Sequence, residues 1–329
     1  MRALTLAVAL FAVGALSGLA YAEDPCDKAD QDGTWKIEKI DVAVVGTSGG
    51  TTPLPVYAPA GAKGKRPAVL IIHGFAANAA MHESFARHLT SRGFVTARFE
   101  NPECVNFDLD VWRRNALRAI DALEAASRDK ESSLHDRVDW GRFGVLGHSY
   151  GGATTISIAT DPRVRAVATL APGTAIFSRE KFLAYAKKVT VPILVVGAEF
   201  DHVVPAPLYA KAGFDLLPSK EKLYVEIRRA EHLNFGDVAL KWVGFSDMEV
   251  QGTIPGEEQR RISSAYFTPW LEKHLDVRKD PCGFTNGERA AKDLGAGLLT
   301  RIAGPKTPKD SEQQQAQSQG IVKKLEKRD

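Results

Sequence analysis

The stretch that most constrains this 329-residue chain is Gly147-His148-Ser149-Tyr150-Gly151-Gly152. It follows the apolar run Phe143-Gly144-Val145-Leu146 and precedes Ala153-Thr154-Thr155-Ile156-Ser157-Ile158-Ala159. The first run reads as a buried strand and the second as a helix. Passing from one to the other over a single serine demands a sharp turn with the serine in strained backbone geometry. Residues without a Cβ are needed where helix and strand approach so closely. Such a unit requires a sheet covered by helices.

The rest of the chain repeats that arrangement. Ala68-Val69-Leu70-Ile71-Ile72 is continuously apolar, as expected of a strand buried on both faces. Residues 37–45 alternate and read as an edge strand, and 53–57 form a second short strand whose prolines suit an edge. Further strands are predicted at 94–99, 143–146, 164–170, 192–196 and 223–227. Helix spacing joins Met81, Phe85, Ala86 and Leu89, and again Trp112, Ala116, Ile120 and Leu123. Residues 207–217, opening with a proline, and 257–275 are further helices, with a short one near 182–187. Strand–helix alternation after an initial β-meander predicts an α/β fold. Its central sheet is mostly parallel, of about eight strands, with helices on both faces. No repeat or linker divides residues 23–303, so one domain is expected. With 44% hydrophobic and 25% charged residues, a disordered, collagen-like or polytopic membrane chain is excluded. A net charge of +3 offers no footprint for nucleic acid.

The ends have a different character. Met1-Arg2, a mostly apolar run to Leu16 and Ala20-Tyr21-Ala22 describe a signal peptide over residues 1–22. The protein is then secreted or periplasmic, with no stable membrane anchor after cleavage. Export permits disulfides among Cys26, Cys104 and Cys282, whose connectivity the spacing leaves open. Residues 304–329, with Gln313-Gln314-Gln315-Ala316-Gln317-Ser318-Gln319, read as a disordered polar tail.

The serine turn also carries chemistry. Ser149 would stand at the end of a strand as a nucleophile, backed by a helix N-terminus that favours negative charge. A serine needs a base to take its proton. Asp201 follows the strand at 192–196, within Gly197-Ala198-Glu199-Phe200-Asp201, and His232 follows the strand at 223–227. Ser149, Asp201 and His232 stand in the order expected of nucleophile, acid and base, each just past a strand. Glu199 is the rival acid, and His202 an exposed loop residue. His148 is too crowded to serve as base for its own neighbour. His82, His88, His135 and His274 are expected at the surface. The oxyanion of acyl transfer needs two backbone N–H donors. Tyr150 supplies one, and Phe75, in the loop His73-Gly74-Phe75-Ala76-Ala77-Asn78, the other. His73 holds that loop. Phe75 and Tyr150 are also the expected substrate-lining residues.

These segments resemble the lidless serine hydrolases of the α/β-hydrolase fold, particularly bacterial cutinases and polyester hydrolases. Chlorophyllases and platelet-activating-factor acetylhydrolases are close seconds. The resemblance spans residues 68–270. It is carried by His73-Gly74-Phe75, the Gly147 turn, Gly197-Ala198-Glu199-Phe200-Asp201-His202-Val203-Val204-Pro205 and Ala230-Glu231-His232. It implies an α/β-hydrolase fold without a large cap domain. It also implies hydrolysis of a small-molecule, lipid or polyester ester through an acyl-enzyme, with no metal and no cofactor. Two positions depart from it. Polyester hydrolases place a tryptophan where this chain has Ala171-Pro172-Gly173, and tend to have methionine where it has Tyr150. The stretch 235–258, with Trp242 and Phe245, is expected to overhang the site. Acyl transfer, peptide hydrolysis and a non-catalytic binding module remain alternatives on the same scaffold.

Overall fold

The computed structural model describes residues 28–45, 51–173, 178–237, 252–280 and 282–304. The signal peptide, Cys26, residues 174–177, most of the overhang (238–251, with Trp242 and Phe245) and the tail beyond Gly304 lie outside the described residues.

The elements alternate as the apolar runs do. In chain order they are β1 (Ile37–Val45), β2 (Thr51–Pro59), β3 (Arg66–Ile72), α1 (Glu83–Ser91), β4 (Val95–Phe99) and α2 (Leu109–Arg128). Next come β5 (Val138–His148), α3 (Tyr150–Ile158), β6 (Val164–Leu170), α4 (Arg179–Ala186), β7 (Ile193–Ala198) and α5 (Ala210–Leu216). The last are β8 (Lys222–Ile227), α6 (Gly256–His274), α7 (Glu288–Gly295) and β9 (Leu299–Ala303). One nine-stranded sheet runs β1-β2-β4-β3-β5-β6-β7-β8-β9. The six strands from β4 to β8 in that order are parallel, and β1, β2 and β9 join antiparallel. This is the α/β-hydrolase architecture.

Each apolar run faces two cores. In β3, Ala68, Leu70 and Ile72 pack with Trp112, Ile120 and Ile156 of α2 and α3. Val69 and Ile71 point the other way, to Phe85 and Leu89 of α1 and Phe267 and Trp270 of α6. Both parities of the strand are buried, so the run shows no alternation. The chain leaves β3 through α1 to β4 on one side, and returns through α2 to β5 on the other. The strand order therefore reverses between β3 and β5. A crevice opens at the carboxyl ends of strands at such a switch point, and Ser149 directly follows β5 there.

The sheet differs from expectation at its margins. There are nine strands rather than about eight, because β9 is weak in local pattern. Only Leu299 of β9 is fully buried, and α7 buries just Ala290 and Asp293. β9 owes its order to pairing with β8, a contact distant in sequence. The proline strand β2 is not an edge, for it lies between β1 and β4. It meets β4 through Val56 and Tyr57 only, so Pro53 and Pro55 never need to donate on that side. Three histidines expected at the surface are not there. His82 and His88 are buried, and the ring of His274 packs on Trp270 at 4.4 Å. Their helices turn these positions inward. His88 bonds Asp32 and Thr268, whereas His135 is exposed as expected.

No helix among the described residues is long and apolar enough to cross a membrane. Cys282 is disulfide-bonded and Cys104 is a free thiol.

Ending the chain at residue 298 removes β9 and uncovers the β8 edge. Losing the buried Leu299 side chain alone costs about 1.5–3 kcal/mol. A lower melting temperature and concentration-dependent scattering are expected. Unchanged melting would show that β9 adds nothing.

Candidate active site

The site is built on the turn at Ser149. Its backbone lies at φ 56°, ψ −123°, outside the regions a side chain favours. Close packing holds it there. A Cβ on Gly152 would lie 2.8 Å from Pro172 Cβ, and one on Gly151 2.8 Å from the Ile72 carbonyl carbon. The Ser149 N–H donates to Leu170 O at 2.9 Å, and its carbonyl accepts from Gly152, Ala153 and Gly173. Ala76, Ala171 and Arg229, all on loops around the site, share a positive φ. Strain of about 1–3 kcal/mol per such residue persists only where surrounding contacts over-determine it.

Three side chains the sequence separates widely meet at this turn. His232 Nε2 accepts from Ser149 Oγ at 2.9 Å. Its Nδ1–H donates to Asp201 Oδ2 at 2.8 Å. The other carboxylate oxygen accepts from the N–H groups of Val203 at 3.0 Å and Val204 at 2.7 Å, which fixes the carboxylate plane. Ser149, Asp201 and His232 are all buried. The rival acid Glu199 is exposed and bonds the Arg229 N–H instead. His202 is exposed, as expected. His148 lies under His232, with ring centroids 4.8 Å apart, and its Nε2–H donates to the His232 carbonyl at 3.1 Å.

The loop after β3 closes against the serine. A Cβ on Gly74 would lie 2.9 Å from Ser149 Cβ, so only glycine admits this approach. His73 holds the loop from within. Its Nδ1–H donates to Gly74 O at 2.7 Å, and its Nε2 accepts from Asn101 N–H at 3.0 Å. Only the neutral Nδ1–H tautomer satisfies both bonds. Phe75 follows Gly74, and Tyr150 opens α3, so these residues flank Ser149 on two sides. The Tyr150 ring is only 3% exposed, and its hydroxyl donates to Phe107 O at 2.7 Å. Tyr150 thus braces from behind rather than lining an open surface. Phe75 is half-buried and stacks on Phe107, with centroids 4.6 Å apart and planes 10° apart. Phe107 escaped the sequence reading because no local pattern pairs it with Phe75 across 32 positions.

Comparison with known proteins decides the family. A profile of PET hydrolase-like proteins matches residues 24–248. This chain belongs to that family. Bis(hydroxyethyl) terephthalate hydrolase of Streptomyces coelicolor is 30% identical over 251 residues, covering 71% of this chain and 76% of that protein. Cutinase 2 of Thermobifida cellulosilytica is 29% identical over 211 residues, covering 64% and 68%. Cutinase est2 of Thermobifida alba is 29% identical over 167 residues, about half of each chain. The protein is a carboxylic ester hydrolase of the cutinase type.

No group of three or more His, Cys, Asp or Glu side chains in this hydrolase is arranged to hold a metal among the described residues. Beneath the site lies a set of buried histidines instead. Burial pushes the His73 pKa down to about 4 and that of His82 to about 3. Burial, with His232 close by, holds His148 well below the usual imidazole range. Unfolded, each would take up a proton near pH 6.5. Between that pH and about 4 the unfolded chain binds protons that the folded one refuses, so stability is full above the window and lost as pH falls through it. For His73 the loss is on the order of 3 kcal/mol. The melting temperature is expected to drop from pH 7 to pH 4.5, and to drop less in His82→Leu. Equal slopes in the two proteins would refute this origin.

Proposed function

We propose that this hydrolase cleaves carboxylic esters through an acyl-enzyme on Ser149. Ser149 Oγ attacks the ester carbonyl while His232 Nε2 takes its proton. The tetrahedral oxyanion is met by the N–H groups of Phe75 and Tyr150. His232 returns the proton to the leaving alcohol, and a water then repeats the sequence to release the acid. Asp201 holds the Nδ1–H tautomer and stabilises the imidazolium. The observation that carries the proposal is the unbroken hydrogen-bond chain from Ser149 Oγ through His232 to Asp201.

The substrate class we infer is an ester with a flat, apolar group beside the scissile bond. Ala171-Pro172-Gly173 brings no aromatic wall to the β6 side. The Phe75–Phe107 stack supplies one from the loops after β3 and β4. Beside Phe107 opens a cleft of about 520 Å³, otherwise lined by the polar and charged residues Asp108, Ser178, Arg179, Glu180 and Lys181. The name of one relative, a bis(hydroxyethyl) terephthalate hydrolase, agrees with such a substrate. We further propose that the enzyme is exported, secreted or periplasmic, after loss of residues 1–22, with residues 23–303 as the catalytic domain. The Ala20-Tyr21-Ala22 site and the disulfide-bonded Cys282 support this, since disulfides persist in oxidising compartments.

Hydrolysis of p-nitrophenyl esters from acetate to palmitate, with Ser149→Ala beside wild type, tests the mechanism. The variant should lose several orders of magnitude in kcat, and a fluorophosphonate should label wild type at Ser149 only. An active Ser149→Ala would overturn the proposal. For the substrate class, Phe107→Ala should lower kcat/KM on a benzoate ester about 2- to 10-fold more than on an acetate ester. Equal losses on both esters would remove Phe107 from recognition.

A further inference from the structure

The loop that carries His232 is held by side chains on both sides of the imidazole. Glu231 N–H donates to Gln259 Oε1 at 2.9 Å. Gln259 Nε2 donates back to the Glu231 carbonyl at 2.7 Å. The next carbonyl, that of His232, accepts from His148 Nε2 at 3.1 Å. Leu233 N–H donates to the Glu231 carboxylate at 3.0 Å. Three successive peptide units around His232 are therefore oriented from outside the loop backbone.

Gln259 occupies the first turn of α6 and is completely buried. A buried carboxamide costs free energy unless its polar atoms are bonded. Both ends of this carboxamide bond one residue, the one before His232, much as a neighbouring strand would. Leucine or methionine would fill the same space without that requirement. The side chain does not reach the reacting atoms. Its effect on them runs through the peptide planes that set the direction of the imidazole. Meanwhile His148 precedes Ser149 and bonds the carbonyl of His232, so the serine turn and the histidine loop are tied together from below.

We propose that Gln259 is a positioning residue for His232, setting the reach of Nε2 to Ser149 Oγ through the Glu231 backbone. The inference rests on the proposed Ser149–His232–Asp201 mechanism. A displacement near 1 Å at a catalytic group costs on the order of 100-fold in rate.

The test is Gln259→Met, which keeps length and volume and removes both bonds, measured on p-nitrophenyl butyrate beside wild type and Ser149→Ala. We expect kcat to fall on the order of 100-fold with KM unchanged. The downfield proton resonance of His232 Nδ1–H should shift or broaden, a signature that packing alone would not move. Wild-type kcat with an unmoved resonance overturns the proposal, whatever the melting temperature. So does a loss carried by KM. Should Gln259→Met not fold, Gln259→Glu, which keeps the acceptor for Glu231 N–H, carries the same readouts. An active Ser149→Ala would sink the mechanism itself. An inactive Ser149→Ala beside a wild-type-like Gln259→Met would sink the positioning role alone.

Discussion

The contact between α3 and the strands beneath it governs the arrangement of the site. Gly151 lies against the carbonyls that end β3, and Gly152 against Pro172 beyond β6. Because the helix sits that close, Ser149 can bridge β5 and α3 at positive φ with its hydroxyl turned to His232 rather than capping the helix. The same proximity brings Gly74 onto the serine. Any side chain at these glycines would push the layers apart, and interiors packed at crystal density do not yield without cost. The geometry of the Ser149 turn and the packing of the sheet are one constraint here.

Around that contact the protein accepts polar burial that a simple core would avoid. His73, His82 and His148 are neutral because burial keeps protons off them. Two of them hold main-chain carbonyls, at Gly74 and at His232. Loops that leave a sheet expose peptide groups to a dry interior, and each must find a partner. Side chains supply those partners here, which makes the loops stiff where regular pairing has stopped. Sensitivity to acid is the physical consequence, since a buried neutral imidazole is stable only while protons stay off it.

Much of the fold was legible because its strands are buried on both faces. Runs such as residues 68–72 and 193–196 admit few other assignments, and the amphipathic helices between them fix the layer order. Ser149, Asp201 and His232 stood out because each directly follows such a run. Elements that depend on distant partners did not. β9 has one fully buried residue, and only its register with β8 makes it a strand. The buried places of His82 and His88 follow from which helix face meets the sheet, a property that one polar residue in a helical pattern does not announce. Phe107 and Gln259 were invisible for a related reason, since their partners Phe75 and Glu231 lie 32 and 28 positions away.

By itself, then, the sequence determined the alternation of strands and helices, the sharp turn at Ser149 and the order of the three polar residues that meet there. Those follow from periodicity and from the steric freedom of glycine, both local properties of a chain. Only the tertiary structure decided what surrounds them. It put Asp201 against His232 and left Glu199 in water, turned the Tyr150 ring inward, and set Phe107 on Phe75. It also placed a glutamine from α6 against the backbone of the histidine loop. These outcomes depend on distances between segments far apart in the chain, and such distances exist only once the layers have packed.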